Sequence, residues 1–235
     1  KKTGRIIKAI IPTHIFGRVS KIAKLKSICK KFKLILIEDA SEAFGTFFKR
    51  RHAGTFGLCG AISFNGNKII TTGGGGAILT NSKKIYLKIN FLASVSKKKT
   101  NHNSRYDEVG YNFKMPSINA ALGISQLKKI NYILIKKKQN YFEYKNLFKS
   151  NNLFEFIKKE KNISSNHWLN FLMFQNSSRL DNSFFNYFKK KKIEIRRIWS
   201  LTSEGKLYKK YPRMNLDNSR SMEQRIICIP SGVFK

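Results

Sequence analysis

Apolar residues along this chain come in short blocks, and the spacing inside the blocks changes along the sequence. "IIKAIIPTHIFG", residues 6–17, reads as a short apolar strand that ends in a proline-containing loop. "VSKIAKLKSICKKF", residues 19–32, follows with apolar positions at helical spacing. "LILIEDA", residues 34–40, is a continuous aliphatic run broken by two acids. A strand apolar on both faces belongs in a parallel sheet covered by helices. Strand, helix and strand make a βαβ unit, so the expected class is α/β. "AISF" at 61–64 and "GAILT" at 76–80 are further short strands. They flank "NGNKIITTGGGG", whose four glycines read as a turn. From Pro116 the pattern becomes one long helical stretch, reaching residue 150. The remainder alternates short aromatic strands with basic helices, as a smaller second domain would. There are no internal repeats.

Composition adds size and charge to this picture. The 235 residues are 41% hydrophobic and 13% aromatic, enough for a packed core and against wholesale disorder. Lys and Arg number 47 against 13 Asp and Glu, a formal net charge of +34. Such a charge raises the question of a nucleic-acid or anionic-membrane partner. However, the basic residues are spread along the chain, with separate runs at 97–99, 136–138 and 189–192. No zinc knuckle, basic zipper or RNP-like motif accompanies them. Lys, Asn, Ile and Phe are abundant together, as in proteins of AT-rich genomes, so neither a specific nucleic acid nor a membrane is expected as partner. The three cysteines are widely spaced and odd in number, which fits a reducing cytoplasm and excludes a four-cysteine zinc site. No stretch is long and apolar enough to span a membrane, and no signal-peptide core is expected at the basic N-terminus.

Three residues could carry chemistry together. Asp39 ends the aliphatic strand, where ligands of open α/β sheets bind. It reads either as an acid needing a cationic partner or as a helix N-cap. Lys68 fails the phosphate-loop pattern, because Gly66-Asn67-Lys68 is not Gly-Lys-Ser/Thr and "IITTGGGG" is a poor helix start. It is either a surface lysine or an amine nucleophile whose apolar surroundings lower its proton affinity. Ser63 is either a turn former or a hydroxyl that reaches a phosphate. An acid, a lysine and a phosphate-binding hydroxyl together meet the needs of pyridoxal 5'-phosphate. Its aldehyde bonds to the lysine and its ring nitrogen is kept protonated by the acid.

"IEDASEAFGT", "HAGTFG", "SFNGNKIITTGGGGAILTN" and "DEVGYNFKMPSINAALGISQL" occur in this order. The chain resembles the DegT/DnrJ/StrS family of pyridoxal-phosphate-dependent nucleotide-sugar aminotransferases over nearly its whole length. "NKIITTGGGG" and "GYNFKMPSINAALG" most resemble the branch acting on 4-keto-6-deoxy-N-acetylhexosamines, which leads to bacillosamine- and legionaminic-type sugars of surface glycans such as O-antigens. The resemblance implies a type I, aspartate aminotransferase-like fold. Residues 1–133 would be the C-terminal part of a three-layer αβα cofactor-binding domain, and 134–235 a smaller α+β domain, both incomplete.

By position, the resemblance makes Lys68 the Schiff-base lysine and Asp39 the partner of the pyridine nitrogen. Glu42 would approach the ring hydroxyl and Ser63 the phosphate. Asn112 or Lys114 would reach the cofactor phosphate or the substrate of a neighbouring subunit, which implies a homodimer with shared active sites. Arg196 matches a substrate-side arginine of the smaller domain. L-glutamate would be the amino donor and the keto carbon of the nucleotide sugar the acceptor, with Lys68 moving the proton. A related dehydratase branch has histidine at the lysine position, so Lys68 favours transamination. Tyr106 stands where this branch often has histidine, and Arg197 where the family has proline. Alternatives are a 3-keto sugar aminotransferase, or an inactive remnant or basic binding module. The family's chains begin upstream of this one, so residues 1–235 alone are expected to bind the cofactor weakly or not at all.

Overall fold

The structure, a computed structural model, describes residues 4–100, 103–156, 160–176 and 180–233. In chain order the elements are β1 (Ala9–Ile10), α1 (Ile22–Lys31), β2 (Ile35–Asp39), β3 (Phe47–Phe48), β4 (Arg51–His52), β5 (Cys59–Ser63) and β6 (Gly76–Leu79). Then come α2 (Lys83–Ala93), β7 (Lys97–Lys99), β8 (Ser104–Tyr106), α3 (Ser117–Lys128), α4 (Ile130–Leu147), β9 (Phe154–Glu155) and β10 (Ile163–Ser164). β11 (Asn170–Phe174), α5 (Asn182–Lys190), β12 (Arg196–Arg197), α6 (Asp217–Arg225) and β13 (Ile226–Ile229) complete the order. The chain divides into two compact units.

The first unit comprises Ile7–Leu134 and Asn162–Trp168. Its main sheet has the order β1-β2-β5-β6. β1, β2 and β5 are parallel, as the βαβ pattern requires, with α1 as the crossover between β1 and β2. β6 runs antiparallel to β5, pairing Ser63 with Gly76 and Gly60 with Leu79. A parallel return needs a long crossover, usually helical, whereas residues 64–75 fold straight back as a hairpin.

The glycines make that return possible. Gly73 and Gly75 have φ of +78° and +94°, a region that side chains rarely adopt. A Cβ on Gly76 would lie 2.3 Å from the carbonyl oxygen of Ile62. The core beneath the sheet is built from Val19, Ile22 and Cys29 of the α1 side, Leu36, Ala40, Ala43, Ala53 and Ile62. Burying one such aliphatic side chain contributes about 1.5–3 kcal/mol. Within the same buried layer Glu38 accepts from His14 Nε2 (2.9 Å) and from the N–H groups of Gly54 (2.9 Å), Phe56 (2.5 Å) and Gly57 (2.7 Å). These bonds satisfy a carboxylate that burial would otherwise penalise. They also fix the strand whose last residue is Asp39.

The long helical stretch expected after Pro116 is two helices. Lys129 (φ −101°, ψ 2°) breaks it, its N–H donating to the carbonyls of Gln126 and Leu127. The second unit comprises Lys1–Ile6, Ile135–Lys161 and Leu169–Lys235. Its antiparallel sheet has the order β12-β13-β11-β9. All four residues of β13 are buried, and Leu172, Phe174, Leu180, Ile227 and Ile229 form its core. Asp181 caps α5 by accepting from the Phe184 N–H at 2.9 Å. Among the described residues no helix is long and apolar enough to cross a membrane.

Candidate active site

The hairpin loop between β5 and β6 presents Lys68. Its backbone N–H donates to the Asn65 carbonyl at 3.0 Å, closing a turn. The next two residues, Ile69 and Ile70, are buried and anchor the loop. Farther along, Thr72 N–H donates to the Phe64 carbonyl (3.0 Å) and Phe64 N–H to the Gly75 carbonyl (3.0 Å), so the base of the loop is laddered. Asn119 Nδ2 on α3 donates to the Thr72 carbonyl at 2.5 Å. The lysine is thereby held between an anchored apolar pair and a turn.

Around its amine stand two acids and an indole. Lys68 Nζ lies 3.9 Å from Glu42 Oε1, with both side chains only 14% exposed. That separation is an ion-pair distance and too long for a hydrogen bond. Glu42 Oε2 accepts from the Phe16 N–H at 2.7 Å, which orients the carboxylate from its far side. Asp39, at the carboxyl end of β2, accepts from the Ser41 N–H at 3.1 Å. Its charge also reaches both Lys68 and Glu42. Nζ lies 4.0 Å from the centroid of the Trp168 ring. Burial lowers the proton affinity of Lys68, and the charges of Glu42 and Asp39 oppose the shift. Burial raises the pKa of Glu42, against the Phe16 N–H and the Lys68 charge, while Asp39 adds to the rise. Both members of the pair are pushed toward their neutral forms.

Asp39, Glu42 and Lys68 therefore come together. Ser63 lies at the end of β5, its Oγ accepting from the Asn65 N–H at 3.3 Å. It lines a cavity of about 440 Å³ with Gly75, Gly76, Tyr86, Asn90 and Phe113. Asn112 is exposed and bridges to Ser94. Lys114 is exposed and donates from Nζ to Asn90 Oδ1. Arg196 is exposed on β12 of the second unit, opposite Cys228. Tyr106, at the end of β8, is 59% exposed.

Two residues of the site escaped the sequence reading. Trp168 covers the amine and donates from Nε1 to the Asn67 carbonyl at 2.6 Å. Asn166 donates from Nδ2 to the carbonyls of Glu42 and Phe44, both at 2.9 Å, and holds the backbone that carries Glu42. They arrive about a hundred positions after the lysine, in a segment with no periodicity that would single them out.

Comparison with known proteins places this geometry. The model of the DegT/DnrJ/EryC1/StrS aminotransferase family matches residues 1–233. The EpsN protein of Bacillus subtilis (strain 168), named as a pyridoxal phosphate-dependent aminotransferase, is 32% identical over 99% of this chain and 60% of its own. The UDP-4-amino-4,6-dideoxy-N-acetyl-beta-L-altrosamine transaminase of Helicobacter pylori (strain ATCC 700392 / 26695) is 33% identical over 72% of this chain and 45% of its own. Helicobacter pylori PseC, an aminotransferase involved in the biosynthesis of pseudoaminic acid, superposes with a TM-score of 0.88 at 25% identity. That match covers 95% of this chain and 61% of PseC. The chain thus spans less than two thirds of the length of these relatives. By the match over almost its entire length, the chain belongs to the DegT/DnrJ/EryC1/StrS aminotransferase family.

Proposed function

We propose that the protein transfers an amino group from L-glutamate to the keto carbon of a nucleotide-linked 4-keto-6-deoxy-N-acetylhexose, in the biosynthesis of surface-glycan amino sugars. The observation that carries this reading is the placement of Lys68 Nζ, only partly exposed, between the carboxylates of Asp39 and Glu42 and the Trp168 ring. Relatives named for amino-sugar synthesis on UDP and on GDP support the substrate class and leave the nucleotide open.

The residues present fit pyridoxal 5'-phosphate. Lys68 offers the amine for its aldehyde, Asp39 a carboxylate at the strand end, Glu42 a second acid and Ser63 a hydroxyl for its phosphate. Asn112 would add a polar contact. When bound, the cofactor supplies an aldehyde and an electron-accepting ring. Burial lowers the proton affinity of Lys68, so its ammonium gives up a proton more readily than that of an exposed lysine. The acids hold that amine in place by charge while the buried Ile69 and Ile70 keep the loop from drifting. Lys114 and Arg196 are assigned to the sugar-nucleotide side. The exposure of Asn112 and Lys114 suits groups offered to a second copy of the chain, so a homodimer with shared sites is part of the reading, as is a cytoplasmic location beside the nucleotide-sugar pool.

The test is to supply the protein from its full reading frame with pyridoxal phosphate, L-glutamate and a panel of 4-keto and 3-keto nucleotide sugars. Mass spectrometry should find an aminated 4-keto product together with 2-oxoglutarate. Product only from 3-keto sugars, or from none, counts against it.

A further inference from the structure

Trp168 contacts both Lys68 and the residue before it. The residue is 1% exposed, its ring centroid lies 4.0 Å from Lys68 Nζ, and its indole N–H ties down the carbonyl of Asn67 at 2.6 Å. It is itself pinned, since its backbone N–H donates to Asn166 Oδ1 at 2.9 Å. Asn166 in turn accepts a place in the first unit by donating to Glu42 and Phe44. β10, immediately before these residues, pairs with β3 and brings the whole segment into register.

An indole face attracts an ammonium ion, most strongly where water is excluded. It therefore favours the protonated form of Lys68, against the effect of burial. Unlike a carboxylate, it is neutral at every working pH and cannot take the proton itself.

We propose that Trp168 is a positioning residue for Lys68: its indole face seats the protonated amine whenever that amine is unbonded, and its N–H fixes the loop on which the amine moves. The inference rests on the reading of Lys68 as the reactive amine. In that reading the lysine must leave its bond, carry a proton and return to the same place. The two acids hold it by charge alone, at 3.9 Å for Glu42, and charge has little directional preference. The indole adds a defined surface. Among the described residues, the charges that act on Nζ are those of Glu42, from the loop after β2, and Asp39, from the end of β2. Both remain when the indole is removed, so a change in the titration of Lys68 reports on Trp168.

The experiment uses the intact protein without cofactor, comparing wild type, W168L and W168F. Lys68 is reductively methylated with formaldehyde and a borane reductant across a pH series. The extent of labelling is read by mass spectrometry on the peptide bearing Lys68, and circular dichroism confirms folding. In W168L the labelling midpoint should fall by about one pH unit, a tenfold loss of proton affinity. In W168F, which keeps a smaller aromatic face and cannot donate to Asn67, the fall should be roughly half as large. A midpoint unchanged or raised in folded W168L overturns the proposal. Where W168L does not fold, the same outcome in W168F overturns it. Because no cofactor is present, a failure of wild-type protein to bind pyridoxal phosphate would sink the proposed function and leave this result standing.

Discussion

Replacing Asn166 with alanine removes one amide that serves three backbone groups. Its Nδ2 donates to the Glu42 and Phe44 carbonyls, and its Oδ1 accepts from the Trp168 N–H, all at 2.9 Å. The residue is 1% exposed, so water does not simply replace it. Each buried group left unpaired costs about 1–3 kcal/mol, and incomplete relaxation brings the expected loss for N166A to about 3–5 kcal/mol. The assay is urea denaturation followed by far-UV circular dichroism, with the loss taken from the shift in midpoint at constant slope. N166D keeps an acceptor for Trp168 but turns an oxygen toward two carbonyls, so it should lose at least as much at neutral pH. Gly17 supplies an internal control. Its φ is +71°, and a Cβ there would lie 1.8 Å from Asn166 Oδ1. G17A should therefore displace the same side chain, and the G17A/N166A pair should be less than additive. A loss below about 1 kcal/mol for N166A, or full additivity of the pair, refutes the view that this amide is the joint between the late segment and the Glu42 loop.

Three further outcomes are expected. Glu38 is desolvated, which would raise its pKa, yet the His14 hydrogen bond and the Gly57 and Gly54 N–H groups outweigh this and hold it below the ordinary 4.5. Its contribution is therefore complete above about 4.5 and is lost as pH falls through the lower folded value. E38Q should be less stable than wild type at neutral pH, with the gap narrowing on acidification; a gap that widens would contradict the sign. The Glu42 charge raises the proton affinity of Lys68, so E42Q should lower the pH at which Lys68 is reductively methylated. A rise in that midpoint would remove Glu42 from the site. With a formal net charge of +34, self-repulsion opposes the folded state. Taking salt from about 0.01 to 1 M shortens the screening length from roughly 30 to 3 Å and should raise Tm. A steady fall would instead mean that pairs such as Lys98–Asp107 (2.8 Å) dominate.

What could be read from the sequence was whatever rests on local pattern. The run at residues 34–40 showed itself as a strand because an inner sheet strand is apolar almost throughout, and β2 occupies Ile35–Asp39 of it. Asp39, which ends the strand, was legible as a site candidate because ligands of open α/β sheets bind beyond the carboxyl ends of strands. The role of its neighbour was not: Glu38 is a fully buried structural carboxylate, whereas the charge of Asp39 acts on Lys68. Strand direction was not legible at β6, since "GAILT" reads the same in either orientation and the hairpin is decided by the glycines before it. The break at Lys129 carries no proline or glycine to announce it. Asn166 and Trp168 act through tertiary contact alone, so only the folded chain shows that they complete the surroundings of Glu42 and Lys68.

The central claim is that Lys68 is the amine that takes the cofactor. The direct measurement is to incubate the protein from its full reading frame with pyridoxal phosphate, reduce it with borohydride, digest it and locate the retained label by mass spectrometry. The account predicts a single stoichiometric label on the peptide bearing Lys68, absent in K68R. A label distributed over exposed lysines, or one retained in K68R, would contradict it.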